Sequence, residues 1–174
     1  MYTIEPGPFT LTCHPQTASP EVREIDVVPG QADNDGITLT FRLVGDITDL
    51  AIPGPRSPGT ADNLWQHTCF EVFMMAGEGP EYREFNFSPS GERAVYDFRG
   101  YRDANAQDGA LLTKPDPVIK VQVSLDRLEL IVEIDQGLLP QASSLKLGLS
   151  AVGEFWGQYT CFFNQYTVPI ILSP

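Results

Sequence analysis

The chain is short of basic residues, of histidine, of cysteine pairs and of long apolar runs. Against 23 acidic residues there are 11 basic ones, giving a formal net charge of -12. Such a molecule repels phosphate backbones and anionic headgroups at long range, which excludes nucleic acid and a membrane surface as partners. Its three cysteines, Cys13, Cys69 and Cys161, are odd in number, far apart and without a CxxC pair. They read as small buried hydrophobes, and with only His14 and His67 beside them no zinc site of familiar spacing can be built. No stretch approaches the roughly 20 apolar residues of a transmembrane helix. The opening MYTIEPGPFTLT lacks a basic segment followed by an apolar one, so a cytoplasmic protein is the expectation.

Helical periodicity is missing too. No segment sustains apolar residues at i, i+3, i+4 and i+7; DQGLLPQA, at 135 to 142, makes at most a turn or a short 3₁₀ piece. What the chain has instead is period-two alternation broken by Gly, Pro, Asp and Asn, with Gly and Pro at 15 each. This predicts strands near 8–14, 22–28, 37–43, 67–75, 82–88, 93–99, 118–124, 128–134, 145–152, 158–163 and 166–172. The expected fold is all-β, a single domain forming a two-layer antiparallel β-sandwich of about 10–12 strands. With 174 residues it buries roughly two thirds of the surface exposed by the unfolded chain. Two long connections, 53–64 and 100–117, flank the most informative part, and ordered loops of that length often cover or shape a site.

That part begins with LWQHTCFEVF, residues 64 to 73. In a regular strand Phe70, Val72 and Met74 face one way, to the core, while Cys69, Glu71 and Phe73 face the other. Glu71 is therefore either the partnered, wet side of a half-buried strand or a group aimed at a ligand. In an extended chain Trp65 and Glu71 would lie about 20 Å apart, so they can meet around one ligand only if the chain bends between Gln66 and Thr68.

The next segment, YREFNFSPSGERAVYDF, contains a hairpin with legible turn chemistry. Ser88 suits the first position of a type I turn, Pro89 presets φ at the second, and Gly91 supplies the left-handed residue of a bulge. Ser88 facing Glu92 pairs Asn86 with Ala94, Phe85 with Val95, Glu84 with Tyr96 and Arg83 with Asp97. One face then holds Phe85, Phe87 and Val95. The other holds Tyr82, Glu84, Asn86, Tyr96 and Phe98, either ordinary half-solvated sheet or the floor of a shallow site for a polyhydroxylated or planar ligand. Arg83 and Asp97 read as a cross-strand ion pair.

LWQHTCFEVF and YREFNFSPSGERAVYDFRGYR together resemble the DOMON-like domains of small bacterial proteins, themselves similar to family 9 carbohydrate-binding modules. The resemblance covers residues 64 to 102 and implies a jelly-roll-like β-sandwich. By this likeness Trp65 and Glu71 hold a sugar, with Trp156 of EFWGQYT completing an aromatic clamp. The C-terminal YTCFFNQYTVPIILSP departs from the pattern by lacking histidine. Other DOMON domains bind haem through methionine and histidine, which makes Met74 or Met75 with His67 or His14 the alternative.

No placed nucleophile, acid/base pair or metal set marks an enzyme: Ser90 sits in a hairpin turn, and Glu71 with Glu84 is a weak signal for a glycosidase pair. The expectation is a non-catalytic ligand-binding module without cofactor, binding a carbohydrate or related small polar molecule through Trp65, Glu71, Glu84, Asn86, Tyr96 and Trp156. A structural or interaction module with no small ligand is the other class. An intracellular sugar metabolite or cell-wall precursor would reconcile a glycan ligand with a cytoplasmic location.

Overall fold

The computed structural model describes residues 2–33, 35–101, 116–165 and 167–172. In chain order its strands are β1 (Tyr2–Ile4), β2 (Phe9–Thr10), β3 (Thr12–Cys13), β4 (Val22–Gln31), β5 (Ile37–Gly45), β6 (Gly59–Thr60) and β7 (Cys69–Ala76). There follow β8 (Tyr82–Phe87), β9 (Glu92–Phe98), β10 (Val118–Val123), β11 (Arg127–Ile134), β12 (Ser144–Phe155), β13 (Gln158–Phe163) and β14 (Val168–Leu172). Single 3₁₀ turns occupy Pro15–Thr17, Leu64–Gln66 and Gln136–Leu138. Among the described residues there is no α-helix, and none long and apolar enough to cross a membrane.

Alternation in the sequence becomes alternation in burial. Leu128, Leu130, Val132 and Ile134 of β11 are fully buried, as are Phe70, Val72 and Met74 of β7, while the residues between them are less covered. Two sheets carry these faces: β1-β14-β12-β7-β8-β9-β6, extended from β12 by β13 and then β3, and β10-β11-β5-β4-β2. Their inner faces meet in one core, where the Phe41 and Phe70 rings from opposite layers lie 5.1 Å apart at 49°. The two-layer sandwich expected from the sequence is the fold.

Three details correct that expectation. Among the described residues fourteen strands stand where about 10–12 were expected, three of them only two residues long. The segment 8–14 is not one strand: β2 joins the second sheet through β4, β3 joins the first through β13, and the chain changes layer at Leu11, whose amide donates to the Ile25 carbonyl at 2.8 Å. Finally, β6 runs parallel to β9, inside what read as a loop. Of the second long connection, residues 102–115 lie outside the described residues, as does position 166 of the last expected strand.

The hairpin of β8 and β9 forms in the expected register, Glu84 opposite Tyr96 and Asn86 opposite Ala94. Its turn is closed by the Gly91 amide donating to the Ser88 carbonyl at 3.0 Å, with Gly91 at φ +92. Arg83 makes two bonds to Asp97, at 2.6 and 2.8 Å, and a third to the Leu138 carbonyl at 2.7 Å, so this pair also ties the hairpin to the turn after β11.

Candidate functional site

On its outer face the first sheet presents Cys69, Glu71 and Phe73 from β7, Tyr82, Glu84 and Asn86 from β8, and Ala94, Tyr96 and Phe98 from β9. Cross-strand pairing sets Glu71 opposite Asn86, and Glu84 opposite Phe73 on one side and Tyr96 on the other. The segment before β7 is folded over this face. β6 pairs with Glu92 and Arg93, and the Ala61 amide continues the contact to the Arg93 carbonyl at 3.0 Å. Asn63 then takes the left-handed conformation, φ 59, that an asparagine tolerates, and the chain turns into Leu64–Gln66. Leu64 is thereby set down on Cys69 and Ala94, with Ala61 and Tyr96 around it, as a second small core.

The bend needed to bring Trp65 to the sheet is therefore present: the turn Leu64–Gln66 runs on into bends at His67 and Thr68, where it was expected. It is held by amide donation from Gln66 to Asn63 and from His67 to Leu64, each at 3.1 Å. The result is an open cavity of about 350 Å³ lined by Asp62, Asn63, Trp65, Glu84, Tyr96 and Phe98. Trp65 remains 52% exposed. The Tyr96 hydroxyl donates to Asp62 at 2.9 Å, which fastens the wall, and Tyr96, Phe98, Tyr82 and Phe73 continue as a row of ring contacts across three strands.

Glu71 does not line this cavity. It sits partly buried on the neighbouring strand, and burial pushes its carboxyl up from 4.5 to about 6, with Glu84 adding to the rise and a hydrogen bond with Ser150 opposing it. Burial likewise raises the Glu84 carboxyl against the bond that its Oε1 accepts from Asn86 Nδ2 at 3.1 Å. The Tyr96 phenol is pushed well up by burial and by the Asp62 carboxylate. Asn86 itself is fully buried and works from beneath, its Oδ1 having no hydrogen-bond partner among the described residues.

Of the six residues singled out in the sequence, the fold brings Trp65, Glu84 and Tyr96 to one cavity, with Asn86 bonded to Glu84 and Glu71 alongside. Trp156 is not brought there. It lies at the β12–β13 tip and lines a different cavity, with Tyr159 and residues 16–21. Asp62 and Asn63 were missed, although the Asp-Asn pair just before Leu-Trp is a turn signal of the right kind.

For the haem alternative, Met74 is fully buried in the core, His67 bonds Glu154 at 2.9 Å, and His14 accepts from the Gln16 amide at 3.2 Å. Ser90 Oγ bonds Ser88 and Glu92 within its turn. Cys69 is buried as expected of a small hydrophobe, whereas Cys13 and Cys161 are only partly covered.

The fold and cavity together define a β-sandwich with an open aromatic and carboxylate site on one sheet. No protein-family model and no curated protein matches the chain. Among solved structures it is similar to a "putative carbohydrate-binding protein" from Bacteroides uniformis, with a TM-score of 0.52, 14% identity, and coverage of 92% of this chain and 78% of that one. It is also similar to a family 9 carbohydrate-binding module from Caldicellulosiruptor kristjanssonii in complex with cellotriose, with a TM-score of 0.48, 8% identity, and coverage of 94% and 71%. At 14% identity the likeness to the Bacteroides uniformis protein shows the fold.

Proposed function

We propose that this chain is a non-catalytic carbohydrate-binding module of DOMON-like kind, and that its ligand, a sugar or related small polyhydroxylated molecule, sits in the Trp65 cavity. The observation that carries the reading is a half-exposed indole at the mouth of an open cavity with the Glu84 carboxylate in its wall. An indole face accepts the C–H face of a sugar ring, and a carboxylate accepts two hydroxyl hydrogens in charge-assisted bonds. Asp62 and Asn63 add a second carboxylate and an amide to the same cavity. The carbohydrate-binding description of the Bacteroides uniformis protein, which shares the fold, agrees with this ligand class.

Binding is favoured over hydrolysis because a glycosidase needs two carboxyl groups flanking one bond. Here Glu71 lies outside the cavity lining, and the other carboxylate within it, Asp62, already accepts the Tyr96 hydroxyl at 2.9 Å. Isothermal calorimetry against a glycan panel tests the reading, with Trp65→Ala and Glu84→Gln as controls. Each variant is expected to lose at least about tenfold in affinity, since one stacking ring or one charge-assisted bond is worth roughly 1.5 kcal/mol or more. Sugar binding that neither substitution weakens would move the site elsewhere.

A further inference from the structure

We propose a second, independent sugar-binding site at the tip of the β12–β13 hairpin, built around Trp156. The hairpin is closed by two residues, Trp156 at φ +49 and Gly157 at φ +73, between the paired Phe155 and Gln158. Positive φ at both central positions is the turn that Asn-Gly or Asp-Gly favours, and a bulky aromatic in the first of them is strained. The strained residue presents an indole that is 68% exposed, while the buried Phe155 next to it lies with its ring centroid 6.3 Å from the indole's. A strained backbone that holds a large apolar ring in water is the mark of a residue kept for what it contacts.

What it would contact is defined by the cavity it lines, about 240 Å³, where Tyr159 adds a second exposed ring and Gln16, Gln158, Ser19 and Glu21 supply polar groups. This is room for about one sugar ring, well below a drug-sized pocket. The far wall is fixed before any ligand arrives. Thr17 Oγ accepts from the Cys161 amide at 3.0 Å, the His14 amide donates to the Cys161 carbonyl at 2.8 Å, and Ser19 bonds Glu21. Two aromatic faces with amides and a carboxylate on a rigid wall suit a neutral pyranose. The ligand class rests on the function proposed above, whereas the site shares no lining residue with the first cavity.

Amide NMR spectra of the ¹⁵N-labelled chain, titrated with cellotriose, maltotriose and xylotriose, read the two cavities separately. Saturable shifts are expected at Gln16, Ser19, Gln158 and Tyr159 as well as at Asn63, Trp65 and Tyr96. Trp156→Asn gives the turn the residue it favours, so its melting temperature should rise by a few degrees while the shifts around Gln158 vanish and those around Trp65 persist. Tyr159→Ala, which leaves the turn alone, should weaken the second set at least fivefold. Shifts confined to the Trp65 group, or a Trp156→Asn variant that binds at the tip as before, overturn the second site and leave the first. Shifts confined to the tip overturn the first, and no shift in either group overturns both.

Discussion

Glu71 shows how far one side chain can be displaced from ordinary behaviour by its neighbours. Its carboxyl titrates near 6 in the folded chain and near 4.5 when solvated, so between these values the folded form keeps a proton that the unfolded form has released. Stability from this group is therefore complete below about pH 4.5 and falls as pH rises through 6, by at most about 2 kcal/mol at 1.36 kcal/mol per pH unit. Glu71→Gln keeps the neutral form at every pH, and its amide faces Asn86, whose Oδ1 has no donor among the described residues. The variant is expected to gain on the wild type in urea unfolding as pH goes from 4 to 7. A difference that stays flat over that range would mean the carboxyl does not titrate in this way. Other groups facing Glu71 bear on the same curve, chiefly Glu84, with the buried Cys69 thiol ionising far above this range.

Among the elements, the β8–β9 hairpin shows when a sequence can be read. Turn residues, register and both faces were legible from Tyr82 to Phe98 because the determinants are local: Pro89 and Gly91 set the turn, and period two does the rest. Gly91→Ala should accordingly destabilise the domain by about 1–2 kcal/mol, the cost of a left-handed residue with a Cβ, measured by chemical unfolding. An unchanged midpoint would show that the turn relaxes to another type.

The parallel pairing of β6 was not legible, because Gly59 and Thr60 are too few to show a period and their partner is set by contacts made from elsewhere. Nor was the layer change at Leu11, since one alternation runs through both short strands. Two of the six cavity residues were not legible for the same reason: Asp62 and Asn63 gain a role only when Leu64 docks on Cys69 and Ala94. Leu64→Ala should loosen that docking, with a loss of about 2 kcal/mol or somewhat less and a drop in affinity at the Trp65 cavity. Retained affinity would show that the segment keeps its place through β6 and the Tyr96 to Asp62 bond alone.

For the molecule as a whole, composition sets a field that no single contact cancels. A net charge of -12 on 174 residues opposes compaction, and each of the six Lys or Arg ion pairs seen among the described residues has at least one exposed partner, which holds its worth to about 1 kcal/mol or less. Screening of the repulsion should therefore outweigh screening of the pairs. The melting temperature is expected to rise between 10 and 300 mM sodium chloride, as followed by circular dichroism; a fall would assign more stability to the pairs than their exposure allows.

The long strand β12 also carries a kinetic consequence. It pairs with β13 across a two-residue turn and with β14 nearby, but its other neighbour is β7, Val152 meeting Cys69 after more than eighty intervening positions have been bridged. Short-range hairpins close in microseconds, whereas such a long loop must lose its freedom before any bond rewards it. The Trp65 cavity belongs to the β7 side of that seam and the Trp156 cavity to the β12–β13 side. The β7–β8–β9 and β12–β13 hairpins can thus form early, whereas the β12–β7 seam, like the wall of the Trp156 cavity that ties His14 and Thr17 to Cys161, waits on long-range closure.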